Sequence, residues 1–262
     1  MFYHNISPIL IEIGPLTIRW YGLIFALGLF SAYLFLRFIF KYEKFNLNHL
    51  DSIVVYLFLG MFMGARLGHV FFYEPSYYLS NLIEIFKVWK GGLASHGAAL
   101  GVFVAYLIWI KVYKVKFSKY VDYLVLSFPI VSMCVRLANF FNSEIIGKPT
   151  NGNWGVVFQR LGEDFPRHPT QLYEAGLSLA IFIILFSVYK KYKQKLPLYF
   201  IFFLYIFLYF STRFIVEFWK ERHIIPDSFP ISMGQILSIL PILISMGYFL
   251  YLLIKKDEKN LL

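Results

Sequence analysis

The sequence contains a single cysteine, Cys134, and few charged residues. One cysteine builds neither an intrachain disulfide nor a cysteine-based zinc site, and inside an apolar segment it reads as a small buried residue. Charged residues make up 15% of the 262 positions, where a soluble domain carries about 25%. His4, His49, His69 and His223 show no ligand spacing, so no metal is expected. The opening Met-Phe-Tyr-His-Asn lacks the basic stretch of a cleavable leader, and no small-residue cleavage site follows the first apolar run. There is no low-complexity segment and no internal repeat, which disfavours a transporter built from inverted repeats.

What is present is apolar surface. Hydrophobic residues make up 59% of the chain and aromatics 21%, including 30 Phe and 20 Tyr. A water-soluble core of this size cannot hide so much, and many of the rings belong at lipid or at the membrane interfaces. The net charge of +10 is not a nucleic-acid footprint, because the basic residues fall in short runs between apolar stretches rather than along a groove.

Runs long enough to cross a hydrocarbon core of about 30 Å lie near Thr17–Phe40, Asp51–Phe72, Leu93–Lys111, Tyr120–Phe141, Leu172–Tyr189, Leu198–Trp219 and Gln235–Ile254. They are apolar on all sides and do not alternate, which predicts helices rather than a barrel. The fold class expected is therefore all-α, a polytopic transmembrane helical bundle of seven spans forming one integral membrane domain. More than half of the 25 basic residues sit in alternate connections: Arg37, Lys41 and Lys44; Lys111, Lys114, Lys116 and Lys119; Lys190, Lys191, Lys193 and Lys195; and Lys255, Lys256 and Lys259. Those connections should be cytoplasmic, placing the N-terminus outside and the C-terminus inside. Residues 73–92, with Pro75, Tyr77, Tyr78 and Trp89, read as an outer interfacial arm. Residues 142–171 read as a small extracytoplasmic cap between spans four and five.

Charged groups inside spans cost about 2.5–3.5 kcal/mol on insertion scales, so each is a functional candidate. Arg136 lies about sixteen residues into its span and Arg213 about fifteen, hence about 24 and 22 Å from the cytoplasmic ends. His96, Tyr21 and Glu174 occupy the first turns of spans that begin outside. All five fall at one depth, in the outer third of the membrane, and predict one site. Tyr209, Arg213 and Glu217 share a helical stripe at four-residue spacing, which is also the spacing of a structural ion pair. Asn139 follows Arg136 by three residues, and Asn142 and Glu144 stand where that helix should end. Arg66 sits in a stripe of Gly60, Gly64 and Gly68 that lets helices approach closely. Gly91, Gly92, Gly97 and Gly101 flank His96 and imply close approach of backbone and ligand. An intramembrane protease is disfavoured, since Asp51 and Asp122 lie at cytoplasmic ends and no Ser–His pair is evident.

Six strings, in order, carry a family resemblance: Arg19-Trp20-Tyr21-Gly22-Leu23; Gly64-Ala65-Arg66-Leu67-Gly68; Gly91-Gly92-Leu93-Ala94-Ser95-His96-Gly97; Arg136 to Gly147; Arg167 to Glu174; and Arg213-Phe214-Ile215-Val216-Glu217-Phe218. Met233-Gly234-Gln235 then opens the last span. Together they resemble the prolipoprotein diacylglyceryl transferase family of bacterial inner membranes over nearly the whole chain. Val135, Ala138 and Ala98 stand where the family commonly has glycine. The resemblance implies phosphatidylglycerol as donor and the lipobox cysteine of a prolipoprotein signal peptide as acceptor, with membrane lipids around the chain and no cofactor or nucleic acid. It implies a thioether product and release of glycerol phosphate. His96, Arg136, Arg213 and Tyr21 are the expected catalytic residues. Asn139, Asn142, Glu144, Gly147, Tyr209, Glu217, Arg66 and Glu174 are expected to bind substrate. Departure of a phosphate needs fixed positive charge, which Arg136 and Arg213 supply. His96 is the candidate base by side-chain type, with Tyr21 and Tyr209 open as phosphate-positioning or proton-relaying groups.

Overall fold

A computed structural model describes residues 1–14, 16–87, 91–152, 154–193, 195–221 and 230–260. Trp89 and His223 lie outside these. The long apolar runs fold as helices, as they must where a backbone lacks water to bond. They are α1 (Trp20–Tyr42), α2 (Leu47–Phe72), α4 (Ser95–Val112), the broken pair α5 (Val121–Leu124) and α6 (Phe128–Phe141), α7 (Thr170–Tyr192), α8 (Phe200–Val216) and α9 (Met233–Asn260). Each of the seven sequence runs therefore has its helical counterpart. Six of the helical segments are long and apolar enough to cross a membrane, and α8 is a shorter apolar helix. Leu23, Leu27, Phe30, Leu34 and Phe38 leave an exposed apolar stripe along α1, recurring every three or four residues as one helix face. So large an apolar face marks contact with lipid rather than water.

The chain forms two compact units, one of residues 1–35 and 121–262 and the other of residues 36–120. In the second unit α2 packs on α4 through glycine on both sides. A Cβ on Gly64 would meet the backbone of Gly97 and Gly101, and one on Gly101 would meet the backbone of Gly60. The stripe on α2 is thus a packing face, as its spacing predicts. Gly97 and Gly101 are the other half of that face, so the approach of α2 accounts for them. A glycine announces that something comes close, without saying what. At the opposite end of the same pair, Phe40, Trp109 and Tyr120 are fully buried, and His49 Nδ1 meets the Tyr120 hydroxyl at 3.0 Å.

The arm at 73–92 is short helical pieces among its described residues. It holds a six-residue α3 (Pro75–Ser80) and a 3-10 turn at Leu82–Phe86, with Leu79, Leu82, Ile83 and Phe86 exposed. Arg66 fixes this arm. Its Nε donates to Ile85 O at 2.8 Å, Nη1 to Gly91 O at 2.6 Å and Gly92 O at 3.1 Å, and Nη2 to Glu84 O at 2.5 Å. Gly91 and Gly92 both have positive φ, and a side chain on Gly92 would strike Arg66 and His69.

The first unit departs from a purely helical chain. β1 (Phe2–His4) pairs in parallel with β4 (Val156–Phe158), and β2 (Ile9–Ile13) pairs antiparallel with β3 (Leu16–Arg19). The segment expected as a cap, 142–171, carries β4 and so joins the N-terminal strand, which the sequence reading left without an element. Phe140, Ile146, Val156 and Phe158 form its apolar centre. His4 is fully buried there, 3.3 Å from Ser143 Oγ, with its ring edge-on to Phe140. Burial, and secondarily the charge of Arg160, lower the His4 pKa, which favours the neutral ring its apolar surroundings require.

Candidate active site

Helix α6 carries Arg136 and Asn139 one turn apart and ends at Asn142, whose backbone N–H caps it. Beyond it Ser143 and Ile145 take positive φ, so the chain turns twice in left-handed conformations and presents Glu144 beside the helix end. Asn139 Nδ2 donates to Glu144 Oε2 at 3.3 Å and Asn142 Nδ2 to Oε1 at 3.1 Å. The Tyr21 phenol lies beside this group, close enough to interact with Glu144, Arg136 and Asn139. The turn is held from the start of α7, where Thr170 Oγ1 donates to Ile145 O at 3.0 Å and Gln171 Nε2 to Glu144 O at 2.6 Å.

Gly147 closes the loop. Its N–H donates to His168 O, it bridges to Lys220, and a Cβ would strike the His168 and Trp219 carbonyls. The backbone approach of three segments therefore explains this glycine. Arg167 clamps the same junction, donating twice to the Glu163 carboxylate at 2.6 Å and to Gly147 O at 3.1 Å. It also pairs with Glu221 at 3.2 Å. The Glu163 hydrogen bonds raise the Arg167 pKa above its ordinary value, so this tie holds its charge throughout the working range.

Inside the unit a chain of opposite charges joins three helices. Arg136 Nε lies 3.0 Å from Glu174 Oε2, close enough to pair but without hydrogen-bond alignment, so that buried oxygen lacks a donor. Glu174 Oε1 is 2.8 Å from Lys220 Nζ, which also reaches Glu217 Oε1 at 3.2 Å. Ser232 Oγ donates to Glu217 Oε2 at 2.8 Å, and Gly234 leaves the space that this carboxylate fills. The stripe of Arg213 and Glu217 is thus not a simple ion pair, since the carboxylate is bonded to Lys220 and Ser232 while Arg213 acts on it through its charge.

Arg136, Glu174, Tyr209 and Arg213 line one narrow crevice, completed by Ser132, Leu177, Ser178 and Thr212. Two guanidiniums thus stand beside a phenol and hydroxyls, the groups that pair with anionic oxygen. The structure therefore brings Tyr21, Asn139, Asn142, Glu144, Gly147, Glu174, Tyr209, Arg213 and Glu217 into the same unit as Arg136. His96 and Arg66 belong to the other unit. There His96 is exposed at the second residue of α4, and Arg66 is occupied by carbonyls of the arm. Lys220 and Ser232 were missed by sequence reasoning. Lys220 follows Glu217 by three residues, a spacing that signals a pair, but its other partner is 46 residues earlier.

Membrane-length helices and a buried, alternating charge network define a multi-pass membrane protein with a crevice lined by two arginines. A family model described as prolipoprotein diacylglyceryl transferase matches residues 8–251. The phosphatidylglycerol–prolipoprotein diacylglyceryl transferase of Tolumonas auensis is 41% identical over 260 residues, covering 98% of this chain and 99% of the relative. That of Ehrlichia ruminantium (strain Welgevonden) is 38% identical over 248 residues, covering 92% and 95%. That of Bacteroides fragilis is 38% identical over 267 residues, covering 97% and 96%. The chain belongs to the prolipoprotein diacylglyceryl transferase family, and it is an enzyme of the transferase class.

Proposed function

We propose that this protein transfers the diacylglyceryl group of phosphatidylglycerol to the lipobox cysteine of a prolipoprotein, the first step of bacterial lipoprotein maturation. The observation that carries the reading is the crevice that Arg136 and Arg213 share, in a chain whose relatives bear that activity in their names. The acceptor thiol, with an ordinary pKa of about 8.5, gives its proton to a base. The sulfur then attacks the glyceryl carbon bonded to the phosphate oxygen. A C–S bond forms, the C–O bond breaks, and its electrons pass to the departing glycerol phosphate. Arg136 and Arg213 stabilise the charge that grows on that phosphate. Asn139, Asn142, Glu144 and Tyr21 order the mouth of the crevice, Tyr209 positions the phosphate, and Glu174 and Glu217 orient the cations. His96 is assigned as the base, and Gly147 and Arg66 act by shaping the cap loop and the arm.

Release of glycerol phosphate from phosphatidylglycerol vesicles should require both the purified protein and a peptide bearing the lipobox cysteine. Equal release with a serine peptide contradicts transfer to sulfur.

The site faces the extracytoplasmic side in this reading, which places the protein in the bacterial inner membrane as a single domain with seven spans, an outer arm at 73–92 and a cap at 142–171. The basic connections support an outer N-terminus and a cytoplasmic C-terminus. A reporter fused after Lys259 should be active only inside. Activity on the outer side overturns the orientation.

A further inference from the structure

Lys220 lies just beyond α8 and is 6% exposed. Burying an ammonium is costly unless it is paired, and here both pairs are present: Glu174 at 2.8 Å and Glu217 at 3.2 Å. The four linked charges of Arg136, Glu174, Lys220 and Glu217 sum to zero. Glu174 is the junction, with one oxygen on Lys220 and the other 3.0 Å from Arg136 Nε. Among the described residues the side-chain hydrogen bond of Arg136 is long, Nη1 to Asn139 Oδ1 at 3.4 Å. Where the Arg136 guanidinium stands is therefore decided largely by where the Glu174 carboxylate stands.

We infer that Lys220 is a positioning residue for the transfer reaction: by holding Glu174 and Glu217 together it fixes the Glu174 carboxylate and, through it, the Arg136 guanidinium in the crevice. The inference rests on the proposed transfer activity. Without the ammonium, two carboxylates face each other with only Arg136 and the more distant Arg213 as counter-charges among the described residues. Glu174 then turns away from its neighbour and takes Arg136 with it. Lys220 touches no reacting atom in this scheme.

The test compares Lys220→Met, Lys220→Arg and the double variant Lys220→Met/Glu217→Gln in the full chain, with phosphatidylglycerol and a lipobox peptide. Methionine keeps much of the apolar stem and removes the charge. Lys220→Met should lower kcat about 100-fold, the scale for misplacing a catalytic group by about 1 Å, with KM for the lipid little changed. Lys220→Arg should retain most of the rate, and the double variant should recover at least about tenfold over the single one because it restores the charge balance. If Lys220 serves packing alone, Met keeps the rate and the bulkier Arg is the damaging change. That order, or a double variant no faster than Lys220→Met, overturns the inference. Thermal unfolding without substrate reads the same network: Lys220→Met should unfold at the lowest temperature of the three variants, and Lys220→Met/Glu217→Gln higher. Absence of transfer by the unaltered protein would contradict the functional reading, while the unfolding order would still decide the role of Lys220.

Discussion

Replacing Arg136 by lysine is expected to lower turnover about 100- to 1,000-fold, the range seen when one donor to a developing oxyanion is removed, and Arg213→Lys should behave alike. Lysine keeps the charge and loses the planar fork. At Arg136 that loss is specific, because Nε is committed to Glu174 and only the outer nitrogens are left to face the crevice. Lysine has one nitrogen for both tasks. A single ammonium that stays on Glu174 leaves the leaving phosphate without its donor. One that turns to the phosphate leaves the buried Glu174 carboxylate to Lys220 alone. Arg213 has no such partner at hydrogen-bond distance among the described residues, so its substitution tests the phosphate role with less disturbance of the fold. Unfolding temperatures measured beside the rates separate the two effects. Near-normal turnover in both lysine variants would remove the phosphate clamp from the account.

The second large effect is expected at His96. If its imidazole takes the thiol proton, His96→Gln should cost about 100- to 10,000-fold, the usual contribution of a positioned base. Glutamine donates hydrogen bonds as histidine does and is not a useful base. The side chain is exposed at the second residue of α4, so its replacement removes no buried partner and the protein should fold. A base must be neutral to act, so the acidic limb of the rate profile should disappear from whatever turnover the glutamine variant keeps. Substantial activity with an unchanged acidic limb would assign the proton elsewhere, with Tyr21 and Tyr209 next to be tested.

Local information in the chain was enough for much of this picture. The helices begin and end within a few residues of the apolar runs, because composition alone decides what can lie in lipid. Arg136, Asn139 and Glu144 are close in sequence, so a helix and its end suffice to bring them together. The losses were of one kind. Strands β1 and β4 have three residues each and pair across some 150 positions, too short for any periodicity to show and too distant for local reasoning. Lys220 was missed for the same reason, since its tie to Glu174 spans 46 residues of sequence. Other residues make contacts that spacing alone does not name. Gly97 and Gly101 mark a close approach whose partner is α2, and Gly147 marks one whose partners are the His168 and Trp219 carbonyls. Arg66, expected to bind substrate, donates to four carbonyls of the arm. The stripe from Arg213 to Glu217 had the right spacing but not the pairing, because Lys220 and Ser232 compete for the carboxylate.

The most direct measurement is mass spectrometry of a synthetic lipobox peptide incubated with the purified protein and phosphatidylglycerol of defined acyl chains. The account predicts a peptide heavier by one diacylglyceryl group on the cysteine sulfur, tracking the acyl chains supplied and lost in the Arg136→Lys and Arg213→Lys variants. A peptide of unchanged mass, with folded protein and intact donor lipid, would contradict it.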